Sequence, residues 1–82
     1  MAAASVRMAE IVAMLNACAD GHEIQTTDHH HWILFNGKTF RRIPLGKHGH
    51  RRNVEVEIGH VRSMVRHLGI DSGCAKKHIT TL

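Results

Sequence analysis

Apolar side chains near the start of the chain recur with the spacing of one helix face, at Met8, Ile11, Val12 and Leu15. Positions i, i+3, i+4 and i+7 lie on the same side of an α-helix, so the pattern predicts an amphipathic helix in this segment. Ser5 is a suitable N-cap, and Asp20–Gly21 provides a glycine where the helix is expected to end. We therefore expect a first helix with one face in a core.

The hydrophobic pattern then changes to that of β-strands. A short extended stretch over 22–26 leads to a turn at Thr27–Asp28. The run over 29–35 contains Trp, Ile and Phe side chains, which favour a strand. These residues predict two strands joined by the turn at Thr27–Asp28.

A hairpin signal follows directly. Asn36–Gly37, flanked by runs of this kind, is the strongest short-range signal for a β-hairpin, and it predicts a return strand over 38–45. Pro44 has no backbone N–H, so this strand is expected to stop there or to lie at a sheet edge. Residues 46–53 are rich in Gly, His and Arg and are predicted to form a loop.

The second helix has the clearest pattern, with apolar residues at Ile58, Val61, Met64, Val65 and Leu68. Gly69 followed by Ile70 is typical of a glycine-terminated helix end. Asp71 or Ser72 is placed to cap a short C-terminal helix. The predicted fold class is therefore α+β, in the order α-β-β-β-α, with a three-stranded antiparallel sheet, two helices on one face and room for that short helix.

Composition limits what a chain of 82 residues does. With 43% hydrophobic and 22% charged residues, it is predicted to be a single globular domain over 1–82, too small for a substrate-enclosing enzyme fold. No apolar run approaches the ~18 residues of a membrane span, and the first residues lack the order of a secretory signal. Cys18 and Cys74 are predicted to be small buried apolar residues, and the expected location is a reducing cytoplasm.

Charge is distributed unequally along the chain. Up to Gly37 there are one basic and four acidic residues, a net charge of −3, whereas from Lys38 onward ten basic and three acidic residues give +7. A basic half on a small domain indicates a polyanion such as RNA or DNA, or an acidic protein partner. The alternative is a solvated basic face with no specific partner.

Several segments together resemble the HicA toxins, which are small RNA-cleaving proteins of bacterial toxin–antitoxin pairs. The resemblance covers most of the chain between Ile11 and Ile70, and comprises a His-rich strand start at 28–32, a hairpin, Ile43–Pro44 and a last helix over 58–70. In that helix the residues in register are Gly59, Val61, Arg62, Ser63, Gly69 and Ile70. The resemblance implies a fold similar to double-stranded-RNA-binding domains.

The same resemblance implies an activity and a partner. The family's single essential histidine corresponds to His29, although the Gly-Ser that precedes it in the family is Thr27–Asp28 here. The expected function is that of a type II toxin, a metal-independent endoribonuclease with no cofactor that cleaves mRNA and is neutralised by a HicB-like antitoxin. Imidazole suits this chemistry because its ordinary pKa of about 6.5 lets it accept and donate protons near neutral pH.

The basic residues expected to hold the RNA backbone are Arg42, Lys47, Arg51 and Arg52. Arg42 lies on the predicted return strand, and the other three lie on a loop that leads into the N-terminus of the second helix, which favours anions. Contacts of this kind are made to phosphates and discriminate little between bases.

Two alternatives remain open at this level. One is a catalytically inactive relative that binds nucleic acid or a protein through the same basic face. The other is a metal site built from His29–His30–His31 with His48 and His50. Successive strand residues point to opposite faces, which argues against three adjacent histidines binding one ion, but the pattern leaves open which face of this strand is buried.

Overall fold

The structure is a computed structural model that describes residues 4–44 and 55–82. In these ranges the elements are β1 Ser5–Arg7, α1 Met8–Cys18, β2 Glu23–Thr26, β3 His30–Phe35, β4 Lys38–Pro44, β5 Glu55–Glu57, α2 Ile58–Leu68 and α3 Ser72–His78. Strands β2, β3 and β4 form a three-stranded antiparallel sheet in that order. This confirms the α+β class and the meander. None of the described helices is long and apolar enough to cross a membrane.

Strands β1 and β5 form a second, two-stranded antiparallel sheet that the sequence pattern does not predict. Val6 pairs with Val56, and both side chains are buried while their neighbours are exposed. Extended backbone through Arg7 moves the start of α1 to Met8, and no side chain caps it. The expectation that Ser5 caps this helix is therefore wrong, because Ser5 belongs to β1.

The predicted core faces of the helices are largely confirmed. All five apolar positions of the α2 stripe are buried. On α1 the buried residues are Met8, Ile11, Met14 and Leu15, whereas Val12 is half-buried. These side chains join Ile33, Phe40 and Ile43 from one face of the sheet in a single apolar cluster. Removal of this apolar surface from water is the main stabilising contribution to the fold.

A β-bulge in β4 allows Phe40 and Ile43, three residues apart, to be buried on the same face. His31 pairs with Ile43 and Ile33 pairs with Phe40, so Arg41 and Arg42 together lie opposite Trp32. In an unbroken strand, residues three apart point to opposite faces. The additional residue restores both apolar side chains to the core and leaves both arginines exposed.

The predicted hairpin at Asn36–Gly37 is confirmed, with φ values of 54° and 72°. Two consecutive residues with positive φ form a two-residue turn whose backbone twist matches the twist of the two strands that it joins. The Asn36 side-chain amide also donates a hydrogen bond of 3.0 Å to the backbone carbonyl of Leu68, the last residue of α2. The tip of the β3–β4 hairpin is thus attached to the C-terminal end of α2.

Cys18 and Cys74 form a disulfide bond that links the end of α1 to α3, across 56 residues of sequence. Both residues are half-buried. The prediction of two small buried apolar cysteines is therefore wrong, because the packing of α3 against α1 brings the sulfur atoms together. The predicted cap of α3 is confirmed, since the Asp71 carboxylate accepts a hydrogen bond of 2.9 Å from the Cys74 N–H.

Gly59 near the start of α2 and Gly69 just after its last residue offer a matched test of the helix end. Gly69 has φ +70°, which disfavours residues with a Cβ, whereas Gly59 is helical and has nothing within 4 Å of a built Cβ. Gly69→Ala is expected to lower the free energy of unfolding by about 1–2 kcal/mol, and Gly59→Ala to raise it by up to about 1 kcal/mol. Urea denaturation followed by circular dichroism measures both. Equal effects of the two substitutions would contradict the left-handed helix end.

Candidate nucleic-acid interface

A hydroxyl group organises the turn between β2 and β3. The Thr27 N–H donates to the His30 carbonyl at 2.8 Å, and the Thr27 hydroxyl donates to the same carbonyl at 3.0 Å. The hydroxyl oxygen also accepts from the N–H groups of His30 at 3.0 Å and His29 at 3.3 Å. Side-chain bonds of this type hold a turn in one conformation. Asp28 and His29 consequently lie at the tip of an ordered turn.

His29 is exposed at this tip. The next residue, His30, pairs with Pro44, the last residue of β4. The chain therefore leaves β4 beside the turn that carries His29. Three of the predicted RNA-binding residues, Lys47, Arg51 and Arg52, lie outside the described residues, as does the whole of 45–54, and their role stays a prediction.

The histidines at 29–31 point in different directions. His31 is only 6% exposed and lies on the inner face of the sheet, where its Nδ1 is hydrogen-bonded at 2.9 Å to the Thr26 hydroxyl. His30 is exposed. Because Ile33 is fully buried, the buried face of β3 is the one that His31 and Ile33 share. The sequence pattern did not determine which face this would be. His30 and His31 are thus on opposite faces of β3, and the partners proposed for a metal site, His48 and His50, lie outside the described residues.

Trp32 and the bulge form a basic aromatic patch on the outer face of the sheet. We call Trp32, Arg41 and Arg42 the outer patch. The guanidinium carbon of Arg41 lies 4.7 Å from the centroid of the Trp32 ring, a cation–π contact. Arg42 is exposed beside it. Arg42 was predicted as a binding residue and Arg41 was not. The bulge leaves both arginines exposed, whereas a regular strand would place adjacent residues on opposite faces.

A groove of about 350 Å³ continues from the outer patch along the edge strand β4 to α2. Its lining residues are Thr39, Phe40, Arg41, Arg42, Ser63 and His67. The Nε2 of His67 is 3.1 Å from the Thr39 carbonyl, and because a carbonyl only accepts, this nitrogen carries a proton. Among the residues that the structure describes, the lining thus includes two guanidinium groups and two hydroxyl groups and contains no acidic residue, which suits a phosphate-bearing ligand.

Comparison with protein-family models, with curated proteins and with solved structures finds no match for this chain. The turn, the outer patch and the groove are accordingly the features of the described residues that bear on function.

The contact between Arg41 and Trp32 predicts a measurable energetic coupling. In a double-mutant cycle with Arg41→Ala and Trp32→Leu, we expect a coupling of about 0.5–1 kcal/mol in the free energy of unfolding, because leucine removes the π face but keeps an apolar side chain. Arg42→Ala is the matched control, and its effect is expected to add to that of Trp32→Leu. Additive effects of Arg41→Ala and Trp32→Leu, measured by urea denaturation, would contradict the contact.

Proposed function

We propose that this protein is a HicA-like toxin, a metal-independent endoribonuclease of the cytoplasm that uses His29. The order α1–β2–β3–β4–α2, with a three-stranded antiparallel meander between two helices, agrees with what the resemblance implies for the fold. We further propose that this arrangement is the double-stranded-RNA-binding-like sandwich.

The observation that carries the proposal is the position of His29. Its side chain is exposed at a turn whose backbone is held by the Thr27 hydroxyl, next to the strand end at Pro44. A catalytic imidazole requires access to a polymeric substrate and a constrained backbone, and this turn provides both. The basic residues at 47, 51 and 52, which lie outside the described residues, follow Pro44 in sequence and are proposed to bind the substrate's phosphates.

The proposed reaction is cleavage of the RNA strand by its own 2′-hydroxyl. The 2′-oxygen attacks the adjacent phosphorus and loses its proton, the bond from phosphorus to the 5′-oxygen breaks, and that oxygen gains a proton. The products are a 2′,3′-cyclic phosphate and a 5′-hydroxyl, so no water or oxidant is consumed. An imidazole near the scissile phosphate assists one of the two proton transfers, and guanidinium groups stabilise the charge that develops on the phosphate oxygens.

Binding of the RNA is proposed to begin at the arginines of β4. Arg41 and Arg42 line the groove beside α2 and are exposed on the outer patch. Their charges attract phosphate without regard to base identity. The same basic surface, together with His29, is the proposed docking site of an acidic HicB-like antitoxin, which blocks cleavage by covering the turn.

A second function is favoured by one specific observation. Arg41 stacks on the Trp32 ring, and Arg42 is exposed beside it. This patch can bind a partner without any contribution from His29. A catalytically inactive relative that binds nucleic acid or a protein through this patch is therefore the alternative function. The two functions differ in whether bound RNA is cut.

Substitution of His29 tests the proposed chemistry. His29→Ala is expected to lower the rate of RNA cleavage by about 10²–10⁴-fold, because a proton-transfer group is lost, while the circular dichroism spectrum stays unchanged. His30→Ala removes the neighbouring exposed imidazole and serves as the matched control, with near wild-type rates expected. The assay is run on disulfide-bonded protein in excess EDTA, where cleavage is expected to persist. Cleavage by His29→Ala at the wild-type rate, or complete loss of wild-type cleavage in EDTA, would contradict the mechanism.

The salt dependence of RNA binding tests the basic residues. Each of Arg42→Ala, Arg51→Ala and Arg52→Ala is expected to reduce the slope of log affinity against log salt concentration by about 0.7–0.9, the counterion release of one phosphate contact. Lys77→Ala, an exposed cation on α3, is the matched control and is expected to leave the slope unchanged. Fluorescence anisotropy of a labelled RNA measures the affinities. An unchanged slope in the three arginine variants would contradict the proposal that these residues bind RNA phosphates.

A further inference from the structure

Ligand atoms from three residues come together where α3 packs on α1. These are Cys18 Sγ, Cys74 Sγ and a ring nitrogen of His78, and all lie within 4.8 Å of one another. Cys18 is the last residue of α1. Cys74 and His78 are four residues apart on α3, which places them on the same side of that helix. Two separate elements thus supply a compact set of two sulfur atoms and one imidazole.

We propose that reduction of the disulfide converts this cluster into a zinc site, with the Cys18 and Cys74 thiolates and the His78 imidazole as ligands. Zinc prefers thiolate sulfur and imidazole nitrogen, and four-coordinate zinc sites with two cysteines are common. Three protein ligands leave the fourth position to water.

The conversion needs a reductant of the dithiol or glutathione class. Two electrons and two protons turn the disulfide into two thiols, and the reductant is oxidised to its own disulfide. Zinc then replaces the thiol protons, so two protons are released when the ion binds. Both cysteines are half-buried and His78 is exposed, so a small thiol and a hydrated ion have access to the cluster.

The need to attach α3 to the rest of the domain also supports a metal site in the reduced protein. Helix α3 has seven residues, and Ala75 is its one buried residue. So short a helix has little stability of its own and depends on its attachment to the domain. In an oxidising medium the disulfide provides this attachment, and in a reducing one we infer that the metal ion does.

Cobalt binding to the full chain tests the proposal. Protein reduced with a phosphine, which does not compete strongly for metal, is titrated with Co²⁺. One equivalent is expected to produce sulfur-to-cobalt charge-transfer absorption and the intense visible bands of tetrahedral Co²⁺, and Zn²⁺ is expected to displace it. The disulfide-bonded protein keeps all nine histidines but has no thiolates, and it is expected to show neither signal. Identical spectra from the two forms would assign the metal to other histidines and overturn the proposal.

A matched pair of variants tests the third ligand. In the reduced state, His78→Ala is expected to weaken Zn²⁺ binding by more than about 100-fold, since loss of a direct ligand exceeds the effect of losing an outer-shell partner. His60→Ala, a histidine of α2, is expected to bind as the wild type does. Competition with a chromophoric chelator measures the affinities. Wild-type affinity in His78→Ala would overturn the proposal.

Circular dichroism measures the helical signal of the protein after reduction in the absence of metal. If the reduced chain unfolds, the addition of Zn²⁺ then tests whether the ion restores its structure. Recovery of helical signal on addition of one equivalent of Zn²⁺ supports the site. Reduced protein that neither binds Zn²⁺ nor regains structure in its presence overturns it. Because His29 is not involved, each of these outcomes is independent of RNA cleavage.

Discussion

Strand β4 must bury Phe40 and Ile43 in the same core although only two residues separate them, and much of the proposed binding surface depends on how it does so. A regular strand would bury one of these side chains and expose the other, at a cost of about 1.5–3 kcal/mol for a large apolar residue left in water. The bulge removes that conflict by adding one residue opposite Trp32. Its consequence is that Arg41 and Arg42 both point outward, which creates the outer patch and one side of the groove.

The two ends of the sheet differ in how they are held. At one end, Asn36 bonds to the last carbonyl of α2, and the His67 imidazole bonds to the Thr39 carbonyl nearby. At the other end, the turn that carries His29 is held by its own Thr27 hydroxyl. The sheet is therefore attached to the helix at the hairpin tip and presents the opposite end to solvent, an arrangement typical of a site on a rigid scaffold.

The link between α1 and α3 bears on where the protein acts. Disulfides persist in oxidising compartments, whereas the proposed toxin acts in a reducing cytoplasm. A cluster that holds α3 as a disulfide in one environment and through a metal ion in the other reconciles the cysteine pair with the proposed function. His78, four residues after Cys74 on the same side of α3, is the proposed third ligand in the reduced form.

Local patterns in the sequence were sufficient to predict the elements that depend only on neighbouring residues. The α2 stripe, the Asn36–Gly37 turn and the left-handed Gly69 were all predicted, because helix periodicity and positive φ are properties of a few neighbouring residues. The same holds for the placement of His29 beside a turn. Strands β1 and β5 were missed, since three residues each are too few to show an alternation, and they pair with each other from opposite ends of the sequence, with Val6 opposite Val56.

Contacts between distant segments determined the rest. The buried face of β3, the bulge that exposes Arg41 with Arg42, and the bond from Cys18 to Cys74 all follow from the packing of the sheet and of α3 against the other helices. The stacking of Arg41 on Trp32 likewise depends on strand register, which one added residue shifts. Register and helix docking are set by the free energy of burying the whole apolar cluster together, and no short stretch of sequence contains that information.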